Sequence, residues 1–111
     1  MPGRLGKLDR LRRRSDIAAM FDKGQAAADY RLRLLAMPNG LEYSRLGLAV
    51  SAKHGGAVQR NRIKRLCREA FRLCRQELPA GRDYMIIPCA GVELTVANIA
   101  QSLRTLTGKA K

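Results

Sequence analysis

Residues 59–72 read QRNRIKRLCREAFR, and on a helical wheel these side chains separate into two groups. At about 100° per residue, the apolar side chains of this region span an arc of roughly 160°, and most of the basic ones a separate arc of about 100°. The separation predicts a long helix, from about Ala57 to Leu78, that packs on a core through one side. The apolar side comprises Ile63, Leu66, Cys67, Ala70, Phe71, Leu73 and Cys74, and the opposite side comprises Asn61, Lys64, Arg65, Arg68, Arg72 and Arg75.

The basic side of the predicted helix violates two rules that govern stable solvated helices. Lys64 and Arg72 each stand four residues from Arg68, and like charges at that spacing are destabilising by a few tenths of a kcal/mol per pair. Arg60 and Arg62 lie near the helix start, where the macrodipole disfavours cations. Phosphate groups would relieve both penalties, since arginine binds them bidentately and lysine as a point charge. A solvated face, the alternative interpretation, normally mixes charges of both signs, so we predict a polyanion-binding surface.

The composition also indicates a polyanionic partner. Of 111 residues, 22 are Lys or Arg and 9 are Asp or Glu, which gives a formal net charge of +13. One domain accounts for this length, and no apolar run approaches the roughly 20 residues of a membrane helix. We expect a single RNA-binding domain at residues 15–108 and a basic, flexible arm at residues 1–14. A cytoplasmic location without membrane contact is expected, because no signal peptide is evident.

Strands and shorter helices are predicted on both sides of the long helix. Period-two alternation predicts strands at residues 30–35 and 45–51, and an apolar run predicts another at residues 83–89. A short helix from Ser15 to Gly24 and a last helix that begins after Thr95 complete the order. This order is typical of a single-domain α+β sandwich, with a mixed sheet of three to four strands and the helices on one face.

The alternation assigns side chains to the two faces of the sheet. Small residues on the outer face leave room for a ligand against the backbone, or mark a face that nothing contacts. Phe21 lies on the apolar side of the first helix, so a core position and a base-stacking position are both open. The predicted core face carries Tyr30, Leu32, Leu34, Leu46, Leu48 and Val50, and the outer face Arg31, Arg33, Leu35, Gly47, Ala49 and Ser51.

The sequence contains no evident catalytic constellation. Its nine acidic residues are scattered, whereas metal-dependent phosphodiester cleavage needs clustered carboxylates. His54, the only histidine, is interpreted as a solvated or phosphate-contacting residue. Cys67, Cys74 and Cys89 fit no metal-ligand spacing and are interpreted as reduced, buried thiols. We expect no catalytic or metal site in this chain, and no DNA partner, because strands flank the helix where a helix-turn-helix would need a second helix.

The long helix resembles the signature helix of a known family. Residues 60–66, RNRIKRL, followed by REAFR at residues 68–72, look like that helix in the bacterial ribonuclease P protein component. Residues 45–53 and 55–58 resemble the strand and loop that precede it, and the likeness extends over roughly residues 8–107. It implies a left-handed crossover around the long helix, against the usual handedness.

The resemblance implies the protein subunit of ribonuclease P, which assists removal of the 5′ leader from precursor tRNA. The catalytic RNA subunit, with Mg²⁺, would hydrolyse the phosphodiester, and the chain would be monomeric apart from its RNA partners. The RNA-binding residues on the basic helix would be Arg60, Asn61, Arg62, Lys64, Arg65, Arg68 and Arg72. A leader-binding cleft between the sheet and the first helix would contain Phe21, Arg31, Arg33, Leu35, Ala49, Ser51 and Lys53.

Three positions depart from the family pattern, and two other functions stay open from the residues alone. Ile17 and Leu35 replace common aromatics, and Ala52 replaces a common lysine, so less base stacking is expected in the cleft. The other functions are an RNA-binding module or chaperone without an enzymatic RNA partner, and a protein-only nuclease. The identity of co-purifying RNA would distinguish the first, and cleavage by RNA-free protein would be required for the second.

Overall fold

The computed structural model of the chain describes residues 10–11 and 13–108. Within these residues the chain forms three α-helices and four β-strands, with short 3-10 turns at Ala52–His54 and Arg75–Glu77. In chain order the elements are α1 (Arg14–Lys23), β1 (Gln25–Ala28), β2 (Leu32–Pro38), β3 (Arg45–Leu48), α2 (Ala57–Cys74), β4 (Arg82–Pro88) and α3 (Val96–Thr107).

The four strands form one mixed sheet in the order β1-β2-β4-β3. Strand β2 runs antiparallel to β1 and β4, whereas β3 runs parallel to β4 and is joined to it through α2. The predicted α+β class and mixed sheet are confirmed. Strand β1 was not among the predicted strands, because its sequence QAAA carries none of the β-branched or aromatic residues that favour strands. It forms because it pairs along the free edge of β2.

Helices α2 and α3 pack side by side on one face of the sheet and enclose the larger core. Phe71 of α2 meets Tyr84 of β4 with ring centroids 6.0 Å apart, and Leu103 of α3 is fully buried in the same cluster. Thr95 begins α3 as predicted, because its side chain accepts a hydrogen bond from the Asn98 amide at 3.0 Å. This first face therefore matches the sandwich expected from the sequence.

Helix α1 lies on the opposite face, so the expectation that all helices share one face is wrong for this helix. Met20 of α1 is fully buried against Leu35 of β2 and Met85 of β4 in a second, smaller cluster. The central strands β2 and β4 carry apolar side chains on both faces, and a sheet of this kind must be covered on both sides. Leu35, predicted to face outward, does so but is buried beneath α1.

The N-terminal segment is part of the folded unit at residues 10 and 11. The Leu11 amide donates a hydrogen bond to the Leu46 carbonyl at 2.9 Å, and the Leu11 side chain is buried. Gly47 lies beneath it, because a Cβ at residue 47 would meet Met85 Cε at 2.8 Å and Leu11 Cβ at 3.3 Å. The domain boundary predicted at residue 15 is therefore too late, and residues 1–9 and 12 of the predicted arm lie outside the described residues.

A buried ion pair links the parallel strands. Arg45 of β3 donates hydrogen bonds from Nε and NH2 to both carboxylate oxygens of Asp83 of β4, at 2.8 and 2.7 Å. Asn39, in the turn after β2, donates to the same carboxylate at 3.0 Å. The hydrogen bonds that Arg45 donates to Asp83 raise the pKa of Arg45 against the opposing effect of burial. Bidentate geometry and a third donor compensate for removing the carboxylate from water.

Replacement of Asp83 by alanine should destabilise the domain strongly, because Arg45 would lose its bidentate partner and keep only Asp16, 3.6 Å away, while most of its side chain stays buried. We expect a loss of about 3 kcal/mol in the free energy of unfolding, measured by urea denaturation followed by circular dichroism. The matched control is Glu77→Ala, which breaks the exposed Arg104–Glu77 pair and should cost less than about 1 kcal/mol. Equal losses in the two variants would show that the Arg45–Asp83 pair has no special role.

Candidate nucleic-acid interface

Helix α2 buries one side and exposes the other, as the wheel predicted. Cys67, Ala70, Phe71 and Cys74 are fully buried against the sheet and α3. Leu73, at the margin of the apolar arc, is instead 52% exposed. The side opposite the core carries the predicted basic residues, so the rotation of the helix is fixed by its buried side chains.

The basic residues of α2 differ in what they contact. No hydrogen bond or ion pair joins Arg62, Lys64, Arg65 or Arg68 to another residue in the described part of the chain. Toward the end of the helix, Arg72 is paired with Glu69, and the guanidinium of Arg75 donates to the Ser44 carbonyl at 3.0 Å. The cations available to a ligand therefore lie in the first three turns of α2. Arg72 and Arg75, at the end of the helix, make structural contacts.

The first cavity on this surface lies between α2, β3 and the N-terminal segment, with a volume of about 210 Å³. Arg10, Lys64 and Arg68 are its charged lining residues, and none of the acidic residues that the structure describes lines it. The Nε atom of Arg10 is buried without a hydrogen-bond partner among the described residues. Burial, and then the charge of Arg10, lower the pKa of Arg68. An anion in this cavity would satisfy the buried donor of Arg10 and neutralise the repulsion between Arg10 and Arg68.

The start of α2 adds backbone donors to the same side of the molecule. Gly56 occupies the N-cap position and no side chain caps the helix. The Arg60 amide already bonds to the Gly56 carbonyl at 3.0 Å, which leaves the preceding amides of the first turn without helical acceptors. Such amides bind phosphate oxygens readily.

A row of side chains on the α1 face of the sheet stays partly exposed, and we call this row the groove. In the strand register Arg33 of β2 lies opposite Ala28 of β1 on one side and Ile87 of β4 on the other, so these three side chains share a face. Ala49, whose amide bonds to the Ile86 carbonyl at 3.0 Å, continues the row beyond β3. Helix α1 covers the neighbouring row of side chains at Leu35 and leaves the row that contains Arg33 accessible. Ala28 and Ile87 were missed by the sequence analysis, since the strand register is not visible in the sequence.

Of four further predicted cleft residues, two are exposed, one is buried and one lines a different cavity. Phe21 is 54% exposed on α1, and Ser51 is exposed beyond the end of β3. Leu35 is 3% exposed and serves as core. Lys53 is exposed but lines a separate cavity together with Arg62.

Arg31 does not join the predicted cleft. Its guanidinium donates to Ser102 Oγ and the Asn98 carbonyl of α3, both at 3.3 Å, on the other side of the sheet edge. Asp29 causes this, because its carboxylate accepts the Arg31 and Leu32 amides at 2.8 and 3.0 Å and ends the strand at Leu32. Burial raises the pKa of Asp29, but hydrogen bonds from Ser102 and these amides outweigh it and lower the pKa. Tyr30, predicted as core, lies outside the strand and is 68% exposed.

The cysteine thiols and the histidine do not form a reactive site. Burial raises the pKa of Cys67 to about 12 and that of Cys74 to about 11, which suppresses the reactive thiolate. Cys89, by contrast, is only partly buried. His54 Nε2 lies 3.0 Å from the Pro88 carbonyl. Among the described residues there is no cluster of three or more His, Cys, Asp or Glu that could hold a metal ion, and no helix long and apolar enough to span a bilayer.

A row of cations without acidic partners on one side of a long helix is typical of the class of nucleic-acid-binding proteins. Comparison with known proteins identifies the family. The family model described as Ribonuclease P matches residues 5–111. A ribonuclease P protein component from Brevibacillus brevis is 40% identical over 104 residues, which cover 92% of this chain and 82% of that protein. One from Thermotoga petrophila is 41% identical over 80 residues, which cover 72% of this chain and 68% of that protein.

Solved structures show the same relationship. The ribonuclease P protein from Thermotoga maritima superposes with a TM-score of 0.80 at 32% identity, covering 92% of this chain and 97% of that one. The ribonuclease P protein from Staphylococcus aureus gives 0.79 at 30% identity, with 93% and 95% covered. This chain belongs to the ribonuclease P protein component family. It is therefore an RNA-binding protein of tRNA processing, which disfavours the module without an enzymatic partner.

The three thiols should react at very different rates with a disulfide reagent at pH 8. Cys67 and Cys74 are buried and largely protonated at this pH, because their pKa values are raised, so we expect one fast thiol per folded chain, Cys89. The measurement is thiol release with time, in buffer and then in denaturant, where all three should react. A Cys89→Ser variant should lose the fast phase, and two fast thiols in the folded wild type would contradict the assignment.

Proposed function

We propose that this chain binds the catalytic RNA subunit of ribonuclease P through α2 and the 5′ leader of precursor tRNA through the groove beside α1. The observation that carries the proposal is the set of cations between Arg60 and Arg68 that have no acidic partner among the described residues. A folded domain usually neutralises such a set itself, and here the neutralising charge has to come from another molecule. RNA phosphates supply it.

Contacts with the catalytic RNA are assigned to the first three turns of α2. Arg62 and Arg65 are exposed and can form bidentate pairs with phosphate oxygens. Lys64 and Arg68 face the cavity of about 210 Å³ that Arg10 closes, and one phosphate group there would satisfy donors from two separate segments. Arg72 contributes less, because Glu69 already pairs with it.

The leader is assigned to the groove that contains Arg33, Ile87 and Ala49. A single strand can lie against small side chains with its backbone close to the sheet, and Arg33 is exposed there to meet a phosphate. Phe21 supplies one exposed ring for stacking on a base. Ile17 and Leu35 pack in the α1 cluster and offer no rings. We therefore expect a single stacking contact with the leader, made by Phe21.

Catalysis is assigned to the RNA subunit, with Mg²⁺ held by RNA. Phosphodiester hydrolysis by metal ions uses clustered carboxylates when a protein performs it, and the described residues form no cluster of three or more such ligands. Asp83 and Asp29 are already engaged with Arg45 and Ser102. In the proposal this chain raises substrate affinity and reduces the repulsion between two RNAs. Mg²⁺ performs part of the same screening when the protein is absent.

Addition of the chain to a matching catalytic RNA should lower the Mg²⁺ concentration needed to cleave precursor tRNA. Arg65→Ala should weaken this effect and make the salt dependence of RNA binding shallower, by about 0.7–1 in the slope of log affinity against log salt. Arg104→Ala removes the same charge from a position outside the interface and should leave both unchanged. Both variants should unfold at nearly the wild-type temperature, because both side chains are exposed. An unchanged Mg²⁺ requirement with the wild-type chain would contradict the proposed function.

Replacement of Phe21 by alanine should weaken binding of precursor tRNA that carries a leader by about five- to tenfold, in line with the loss of one stacked base. Binding of mature tRNA, which has no leader, should not change. Fluorescence anisotropy with the assembled ribonucleoprotein measures both. Tyr30→Ala is the matched control, because Tyr30 is an equally exposed aromatic residue outside the groove. Equal losses for leader-bearing and mature tRNA would remove Phe21 from the leader site.

A further inference from the structure

A second cavity, of about 460 Å³, lies between the 3-10 turn Ala52–His54, the start of α2 and the loop at residues 91–95. It is separate from the groove beside α1 and from the cavity closed by Arg10, with which it shares no lining residue. Its volume falls within the range of about 300–1,000 Å³ that is usual for small-ligand sites. The functions proposed above make no use of it.

The lining of this cavity combines apolar side chains with free cations. Ile63 and Leu66 of α2 belong to the margin of the main core and are only partly buried, and Val92 lies across from them on the loop. Lys53 and Arg62 supply positive charge, and neither side chain is hydrogen-bonded or ion-paired within the described residues. An apolar surface beside two free cations is complementary to a molecule with a flat hydrophobic part and an attached phosphate.

One acidic residue narrows the choice of occupant. Glu93 lines the same cavity, and its carboxylate has no partner among the residues that the structure describes. A carboxylate repels a phosphate but accepts hydrogen bonds from an exocyclic amino group, such as N4 of cytosine. The three kinds of lining therefore suit the parts of one nucleotide: base against Ile63, Leu66 and Val92, amino group toward Glu93, and phosphate toward Lys53 and Arg62.

We propose that this cavity holds a single unpaired nucleotide of the bound RNA, and that it favours a base with an exocyclic amino group. The proposal rests on the proposed function, because the nucleotide belongs to an RNA already bound along α2. Arg62 lies on α2 and Lys53 on the segment that follows β3, so the nucleotide sits between the surface for the catalytic RNA and the end of the groove for the leader. Either RNA can supply it, and the chemistry of recognition is the same.

Filling the cavity tests the proposal without removing a cation. Val92→Trp should weaken RNA binding about tenfold, the loss expected for one displaced base. The matched control is Leu41→Trp, because Leu41 is partly exposed in the turn after β2 and lies away from the cavity. This turn follows Pro38, which pairs with Arg82 at the opposite end of β4 from Pro88. Separate titrations identify the source: a loss with the catalytic RNA alone assigns the nucleotide to that RNA, and a loss only with leader-bearing precursor assigns it to the leader.

A cross-linking measurement leaves the cavity close to its native shape and covers the case in which Val92→Trp does not fold. In a Cys89→Ser background, the Val92→Cys variant is labelled with a short photoreactive group on its new thiol. Labelling is selective for this position, because Cys67 and Cys74 are buried. In the assembled ribonucleoprotein the labelled variant should cross-link to one unpaired nucleotide with an exocyclic amino group. Leu41→Cys in the same background should give no defined cross-link. Scattered or absent cross-links from residue 92 would overturn the proposal.

The outcomes separate this inference from the function on which it rests. Wild-type affinity of Val92→Trp for both RNAs, together with weakened binding by Arg65→Ala, would overturn the nucleotide site and leave the proposed function intact. Normal binding by Arg65→Ala as well would contradict the function itself. Glu93→Gln adds a test of specificity, because an amide can both donate and accept. It should reduce discrimination by several-fold when the mapped nucleotide is changed to uridine, with overall affinity for the unchanged RNA nearly preserved.

Discussion

The packing of Cys67, Ala70 and Phe71 of α2 against the sheet is the contact on which the rest of the molecule depends. Burial of a large apolar side chain such as Phe71 contributes about 1.5–3 kcal/mol, and the four fully buried residues of α2 fix the rotation of the helix about its axis. Because the rotation is fixed, the cations are held at the surface and cannot turn toward the few acidic residues of the domain. Affinity for RNA is therefore linked to the hydrophobic core through one rigid helix.

The same sheet supports two surfaces of different character. In β4, Ile86 faces α2 and α3 while Met85 faces α1, so a single strand forms part of both cores. The basic surface of α2 belongs to one side of the molecule and the open row at Arg33 to the other. Under the proposed function, two RNA segments would be bound at once without competing for the same side chains, as a subunit that joins a catalytic RNA to its substrate requires.

The features that were predictable from the sequence are those determined by local periodicity. The start of α2, its buried side and the cap at Thr95 follow from spacing and side-chain chemistry, and they are confirmed. The predicted end of the helix at Leu78 is wrong, because α2 ends at Cys74 and a 3-10 turn follows. The other wrong predictions concern which strands pair and where Arg31 and helix α1 lie. Strand β1 forms only because β2 offers a free edge, and helix α1 covers the second face because Leu35 and Met85 need burial. Neither is encoded within a few neighbouring residues. Arg31 leaves the predicted cleft for a local reason, because Asp29 binds the Arg31 and Leu32 amides and β2 begins only at Leu32, two residues later than predicted.

Gly47 links the packing of the sheet to the position of a cation that it does not itself provide. Any side chain at this position would meet Met85 and Leu11, and displacement of Leu11 would carry Arg10 away from the cavity it shares with Lys64 and Arg68. The absence of a methyl group in β3 is therefore a condition for the third cation of that cavity. A buried glycine whose chemistry offers nothing to a phosphate thus helps to set the charge presented at the surface.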